Sequence, residues 1–212
     1  METYQRSWVT DRPVTSPFAR PRGLRGRLAG RFMVWTNKQR EVADLLGVAA
    51  GDRVLEVGYG GGALIRLLAD RVGGDGMVCG VDPSPDMRAL ALRRNRRTAA
   101  RDARLDLRVG SAAATGFPGG SFDHIVTVNT IGIWPDLEAG LRELHRVVRP
   151  GGDVVLAWHG GRAPTRIGRH LLLPEDTMTR VRDALAELFE DVERHELTTV
   201  TAFRARRATM AT

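Results

Sequence analysis

Val54-Leu55-Glu56-Val57-Gly58-Tyr59-Gly60-Gly61-Gly62 is the stretch from which this chain is read. A short apolar run has the character of a buried strand. It breaks into glycines just where a helical pattern begins, at Ala63, Leu64, Leu67 and Leu68. Strand, glycine turn and helix together bring backbone close to a nucleotide-like ligand at the edge of an α/β sheet. Glycine supplies the positive φ and removes the Cβ that would keep a ligand away. Gly58-x-Gly60-x-x-Ala63 also fits a dinucleotide fingerprint, in which alanine is allowed third. A tight turn with no ligand fits the same letters, so the rest of the chain has to decide.

Downstream, strand and helix alternate. Residues 77–81 predict a strand, and Ser84-Pro85-Asp86 opens a helix with a cap, a proline at its first position and an acid in its first turn. Residues 105–109 and 124–128 predict two further strands. Asp136 caps a helix carrying Leu137, Leu141, Leu144, Val147 and Val148 at helical spacing, which Pro150-Gly151-Gly152 ends. A fifth strand follows over 153–158. Strands separated by helices imply a parallel sheet with right-handed crossovers. After a helix over about 174–189, two alternating segments, 192–199 and 200–207, suit an antiparallel hairpin at the sheet edge. Upstream, residues 1–30 mix prolines, glycines and arginines and read as an irregular arm, with Trp8 and Phe18 as its anchors. Residues 31–212 read as one domain, opening with a helix that Gly47 stops.

The 212 residues are enough to bury a full core without staples. The single cysteine, Cys79, sits in an apolar segment and reads as a core residue, which fits a reducing compartment. No apolar signal core begins the chain and no run approaches a membrane span, so a cytoplasmic location is expected. The formal net charge of +7 raises nucleic acid as a partner. The cations are nearly all arginine, however, with Lys38 the only lysine, a bias that genome composition produces as readily as function. Two clusters stand out. Arg20, Arg22, Arg25, Arg27 and Arg31 have phosphate- or headgroup-binding potential. Arg93, Arg94, Arg96, Arg97, Arg101 and Arg104 read as the solvated face of a helix. Neither is interleaved with aromatics that stack bases.

Four ordered motifs resemble the class I S-adenosylmethionine-dependent methyltransferases, close to their small-molecule type 11 group. Glu56-x-Gly58-x-Gly60-Gly61-Gly62 is similar to the family's first motif. Gly80-Val81-Asp82-Pro83-Ser84-Pro85-Asp86-Met87 is similar to the acidic end of its second strand. Phe117-Pro118-x-x-Ser121-Phe122-Asp123 precedes the fourth strand, and Glu143-Leu144-x-Arg146-Val147-Val148-Arg149-Pro150-Gly151-Gly152 the fifth. The resemblance covers about residues 33–158. It implies an α/β, Rossmann-like class I methyltransferase fold, with a mostly parallel seven-stranded sheet, an antiparallel C-terminal hairpin and helices on both faces. It also implies S-adenosyl-L-methionine as cofactor and S-adenosyl-L-homocysteine as product.

The same resemblance assigns cofactor contacts to Glu56, Gly58, Tyr59, Gly60, Asp82, Pro83, Met87, Ser111, Ala112, Asn129, Thr130 and Trp134. It makes 31–47 a cover helix that brings Met33 and Asn37 to the methionine end. Backbone N–H groups near Gly58 and Gly60 suit a carboxylate at a helix N-terminus. Asp82 suits a pair of ribose hydroxyls, at roughly 1.5–3 kcal/mol per charge-assisted bond. A buried Glu56 needs partners, and orienting the glycine loop and the ligand's amino group supplies them. One departure stands out: Gly110-Ser111-Ala112 has serine where the family usually has an acid that accepts from the adenine amino group. A neutral bond there is worth about 0.5–1.5 kcal/mol, so weaker adenine selection or modest affinity is expected. Gly132 stands where relatives often have an aromatic, which would open room for substrate.

Methyl transfer from sulfur needs alignment above all, and a base only for some acceptors. His159, after the fifth strand at the carboxyl edge, is the candidate base. His124 starts the fourth strand at the opposite edge, and His145 and His195 are no better placed. No metal-ligand spacing and no Ser/His/Asp constellation is present. Residues 160–173 are short and basic, so cover is expected from the N-terminal arm, and an open, basic-rimmed pocket suits an anionic small molecule, a lipid-like substrate or a peptide terminus. A nucleic-acid methyltransferase and a cofactor-binding protein that does not methylate are the alternatives on the same fold.

Overall fold

The computed structural model describes residues 6–11, 39–96 and 104–209. Phe18, Met33, Asn37, the first arginine cluster, Arg97 and Arg101 lie outside the described residues. The elements, in chain order, are α1 (Gln39–Leu46), β1 (Arg53–Val57), α2 (Ala63–Val72), β2 (Met77–Asp82), α3 (Pro85–Arg94), β3 (Arg104–Val109) and β4 (Phe122–Val128). They continue with α4 (Leu137–Val147), β5 (Val148–His159), α5 (Glu175–Ala186), β6 (Glu190–Glu196) and β7 (Val200–Arg206). Two 3₁₀ turns, Ile131–Ile133 and Gly168–Leu171, follow β4 and β5.

The seven strands form one sheet in the order β3-β2-β1-β4-β5-β7-β6. The first five in that order run parallel, and β7 joins β5 antiparallel and pairs with β6. The expected fold class is therefore the one observed. Alternation along each strand feeds two core layers. Leu55, Val57, Ile125, Leu156 and Phe203 pack with Leu141 and Leu144 of α4 and Val181 and Leu185 of α5. On the other face Val54, Val126, Val155 and Ala157 pack with Val42 and Leu46 of α1, Ile65 and Leu68 of α2, and Met87 of α3. Polar β6 guards the edge with Glu190, Asp191, Glu193, Arg194 and Glu196.

Helix starts follow local chemistry. Ser84 Oγ accepts from the Met87 N–H and Pro85 occupies the first turn of α3, while Asp136 Oδ1 accepts from the Ala139 N–H at 2.8 Å to cap α4. Some boundaries differ from the sequence expectation. β4 begins at Phe122, not at 124, and β5 begins at Val148, so Pro150-Gly151-Gly152 lies within the strand rather than in a loop. The cause is Arg207: its N–H donates to the Gly152 carbonyl (2.9 Å) and its carbonyl accepts from the Gly151 N–H (2.8 Å), holding the stretch extended. The register against β4 shifts there to absorb the extra residues. The last helix is shorter than expected and starts after Pro174.

Candidate active site

β1, β2 and β4 end side by side at the carboxyl edge, the usual place for a ligand in an open α/β sheet. Residues 58–62 lie across that edge. The Gly58 N–H donates to the Val81 carbonyl (2.7 Å), and a Cβ on Gly58 would run into Thr130 Cγ2. With φ at +77° as well, only glycine fits. The Gly60 N–H donates to Asp82 Oδ2 (2.9 Å), and nothing stands within 4 Å of where a Gly60 side chain would begin. The loop thus touches the end of β2 on one side, the end of β4 on the other, and open space above.

Glu56 lies beneath the loop, on the face shared with Val54, and is 2% exposed. Burial first, and the Asp82 charge second, push its carboxyl up to about 8, while the Ile65 N–H at the start of α2 pulls the other way. Its Oε2 is buried with no hydrogen-bond partner among the described residues. Asp82 accepts from Ser84 N–H (2.9 Å) through Oδ1 and from Gly60 N–H through Oδ2, and burial still raises it to about 6. Each oxygen keeps a further lone pair for a ligand hydroxyl. Ser84, not Asp82, caps α3, so the acid is free of that structural role.

The other expected contacts divide. Gly110 donates to the Asp82 carbonyl (3.1 Å), which brings Ser111 beside Asp82, where it bridges to Ala114. Asn129 is buried with φ +58°, a left-handed conformation that asparagine tolerates and that concentrates at functional sites. Pro83 is exposed at the rim, and Met87 is buried in the core layer beneath α3. Tyr59 is turned away. Its ring fills the space above Gly80, and its hydroxyl donates to the Arg108 carbonyl (3.0 Å), so only its backbone faces the loop. Thr130 Oγ1 bonds Thr127 Oγ1 and accepts from Trp134 Nε1–H (3.0 Å), committing the hydroxyl and the indole to each other. Trp134 and Ala112 pack at Gly140 rather than opening into the site.

Two expectations are corrected. Gly132 opens no room for substrate: a Cβ there would stand 2.7 Å from the Trp158 ring, which fills the space an aromatic would take. Of the second arginine cluster, Arg94 is not merely solvated, since its Nη1 donates to the Gly61 carbonyl (2.6 Å). Beside it the fully buried Asn95 donates from Nδ2 to the Gly62 carbonyl (2.8 Å). The end of α3 thus fastens the glycine loop through Arg94, which reads in the sequence as solvated, and through Asn95, which the sequence reading passed over within an arginine run.

His159 ends β5 at the carboxyl edge, half-buried, its ring 5.5 Å from that of Trp158 and edge-on to it. Burial pushes its imidazole down to about 4. His124 lies at the amino edge between Asp52 (3.2 Å) and Asp153 (3.8 Å). Cys79 is a buried core thiol pushed up to about 12. Among the described residues no group of three or more His, Cys, Asp or Glu is arranged to hold a metal.

The arm reaches the loop after β4. Ser7 Oγ donates to the Gly132 carbonyl and Trp8 Nε1–H to that of Ile131, both at 2.7 Å. The Trp8 N–H donates to the Trp134 carbonyl (3.1 Å), and the Arg180 guanidinium lies 5.0 Å above the Trp8 ring.

A family model described as a methyltransferase domain matches residues 54–152, which hold the glycine loop, Asp82, Asn129 and the Pro-Gly-Gly stretch. The match spans just under half of the chain, and together with the relatives and the solved structure below it supports a class I S-adenosylmethionine-dependent methyltransferase. An uncharacterized methyltransferase, YdaC, of Bacillus subtilis is 29% identical over 172 residues, covering 78% of this methyltransferase and 88% of its own length. Aklanonic acid methyltransferase DauC of a Streptomyces strain is 29% identical over 82% of this chain and 76% of its own. The crystal structure of a SAM-dependent methyltransferase from Aquifex aeolicus superposes with a TM-score of 0.66 at 17% identity, over 84% of this chain and 97% of that one. The residues present fit the cofactor: a buried carboxyl oxygen of Glu56 lacks a partner among the described residues, beside a glycine loop with nothing within 4 Å of where a Gly60 side chain would begin.

Proposed function

We propose that this methyltransferase holds S-adenosylmethionine between Glu56, residues 58–60 and Asp82, with Ser111 and Asn129 at the rim, and methylates a small anionic or lipid-like acceptor. The observation that carries the reading is Glu56 Oε2, buried and without a hydrogen-bond partner among the described residues, and close enough to the Asp82 carboxylate for its charge to raise the Glu56 pKa. An ammonium group and a pair of hydroxyls are the chemical complements of those two acids. The cofactor, when bound, supplies a methyl group already activated on a sulfonium sulfur.

The protein's own part is then binding, orientation and exclusion of water, and orientation alone is worth on the order of 7–11 kcal/mol. Asp82 and Glu56 fix the ligand's two ends relative to the sheet. Ser7 and Trp8 lay chain over residues 131–134, on the side from which an acceptor approaches. His159 is neutral at pH 7 and accepts a hydrogen bond from an acceptor O–H or N–H. A site that holds it near pKa 4 makes it a weak proton acceptor, so it positions an acceptor that is already acidic. The Streptomyces relative is named for an acid, aklanonic acid, which supports an anionic acceptor here.

Calorimetric titration with S-adenosylhomocysteine, with NADH as the comparison, tests the cofactor half. Micromolar binding of the first alone, lost in Asp82→Ala, is expected. Binding of NADH, or of neither, would overturn it. Transfer of labelled methyl groups to a panel of carboxylic acids, phenols and phospholipid headgroups tests the acceptor half.

A further inference from the structure

We infer that residues 160–173, at the mouth of this site, dock on an anionic lipid surface. Among the described residues five large hydrophobics are exposed, and three of them, Ile167 (42%), Leu171 (44%) and Leu172 (48%), fall within this one segment. Single exposed aliphatics are ordinary and need no partner, whereas three in six residues form a patch. Arg162, Arg166, Arg169 and His170 surround them, all exposed. No acid occurs between Asp153 and Glu175. None of the three guanidiniums joins an ion pair among the described residues; Arg169 only donates to the Pro164 carbonyl (3.4 Å).

The patch is held in shape from beneath. Trp158 Nε1–H donates to the Leu171 carbonyl (2.7 Å), and Gly168 N–H to Thr165 Oγ1 (2.9 Å). At the start of the segment the Arg162 and Ala163 N–H groups donate to the Leu197 (2.9 Å) and Thr198 (2.8 Å) carbonyls. The backbone is therefore committed inward while the aliphatics and cations face out. Aliphatic side chains ringed by arginines match an interface of acyl chains and anionic phosphates. Nucleic acid answers the arginines but gives the aliphatics nothing, and the segment has no aromatic on which a base stacks. A second copy would bring cation against cation.

Docking there would present the carboxyl edge, with His159 adjoining the segment, to an acceptor resident in the bilayer. In this the inference rests on the acceptor reading above, but docking is measured without turnover, so the two fail separately. The test is co-sedimentation of the full chain with phosphatidylcholine vesicles, with and without phosphatidylglycerol. Binding to the anionic vesicles that weakens with salt is expected. Arg166→Gln with Arg169→Gln should lower partitioning roughly 25-fold, since each cation near such a surface contributes about one factor of five. Leu171→Ser with Leu172→Ser should lower it about tenfold. All four side chains are exposed, and unchanged S-adenosylhomocysteine affinity shows that the variants fold. Equal binding to neutral vesicles, no binding, or anionic binding that neither pair changes would overturn the inference. So would RNA binding weakened by the arginine pair with vesicle binding absent, or dimerisation abolished by the leucine pair with vesicle binding absent.

Discussion

Glu56→Gln should stabilise the ligand-free protein in neutral to mildly alkaline solution while weakening its hold on the cofactor. Burial and the Asp82 charge raise the Glu56 carboxyl from its usual 4.5 to about 8. Below pH 4.5 native and unfolded chains both carry the proton, and the shift has no effect on stability. Between 4.5 and 8 the unfolded chain releases the proton and the native one keeps it. The native state then binds more protons, so stability falls as pH rises. At about 1.36 kcal/mol per pKa unit, the ceiling on that loss is about 5 kcal/mol by pH 8. Asp82, raised from 3.8 to about 6, acts in the same direction over a narrower range. Glutamine keeps the shape and removes the titration. Urea unfolding, followed by tryptophan fluorescence at several pH values, should show the variant gaining on the native sequence by about 2–4 kcal/mol from pH 5 to pH 8. A difference that stays constant, or that narrows, refutes the reasoning.

The same group gives a second readout. At pH 7 a carboxyl with a pKa near 8 is about nine-tenths protonated. A ligand ammonium stabilises the ionised form, so binding S-adenosylhomocysteine should release roughly 0.9 proton per site. Enthalpies measured in phosphate and in Tris should differ accordingly, and Glu56→Gln should abolish the difference while lowering affinity by about 1.5–3 kcal/mol. Binding without proton release would mean that the ligand does not reach Glu56.

Ser111→Asp should tighten S-adenosylhomocysteine by up to about tenfold, because a charged acceptor replaces a neutral one; calorimetry showing no gain sinks the argument. Gly132→Ala should destabilise the fold by about 1–3 kcal/mol, since its methyl meets the Trp158 ring at 2.7 Å and the ring is held through its own N–H bond to Leu171. A thermal melt within a degree of the native one would show that the tryptophan moves aside. His159→Asn should lower kcat by less than about tenfold; a loss of 10²–10⁴ would make the histidine a true general base.

What the sequence disclosed and what it withheld follow from how far each feature reaches along the chain. The strand-glycine-helix unit at 54–72 is local: apolar alternation, a glycine run and helical spacing lie side by side, and Ser84-Pro85-Asp86 names its own helix start. The parallel run of the first five strands was legible too, because strands separated by helices imply right-handed crossovers, though their order in the sheet was not. The space beside Gly132 was not, because it is filled by Trp158, 26 positions later, through the alignment of Val128 with Ala157 across β4 and β5. Asn95 was invisible for the same reason. Its side chain meets the Gly62 carbonyl only once the end of α3 lies over the start of α2, and nothing in an arginine run marks the one residue that turns inward.

The misread strand start at Val148 has a similar origin. Pro150-Gly151-Gly152 carries every local mark of a loop, and the extended form is imposed by Arg207 from the far end of the chain. The same division runs through the active site. The residue types proposed to meet a methionine-derived ligand stand in short motifs. Their proton affinities do not, because these come from burial that only the assembled sheet creates. Glu56 reads in the sequence as an ordinary carboxylate. In the fold its burial pushes the carboxyl up to about 8, so on the proposed binding mode a ligand ammonium would drive the proton off, coupling cofactor capture to proton release at the point where the chain gives up stability to keep an acid inside.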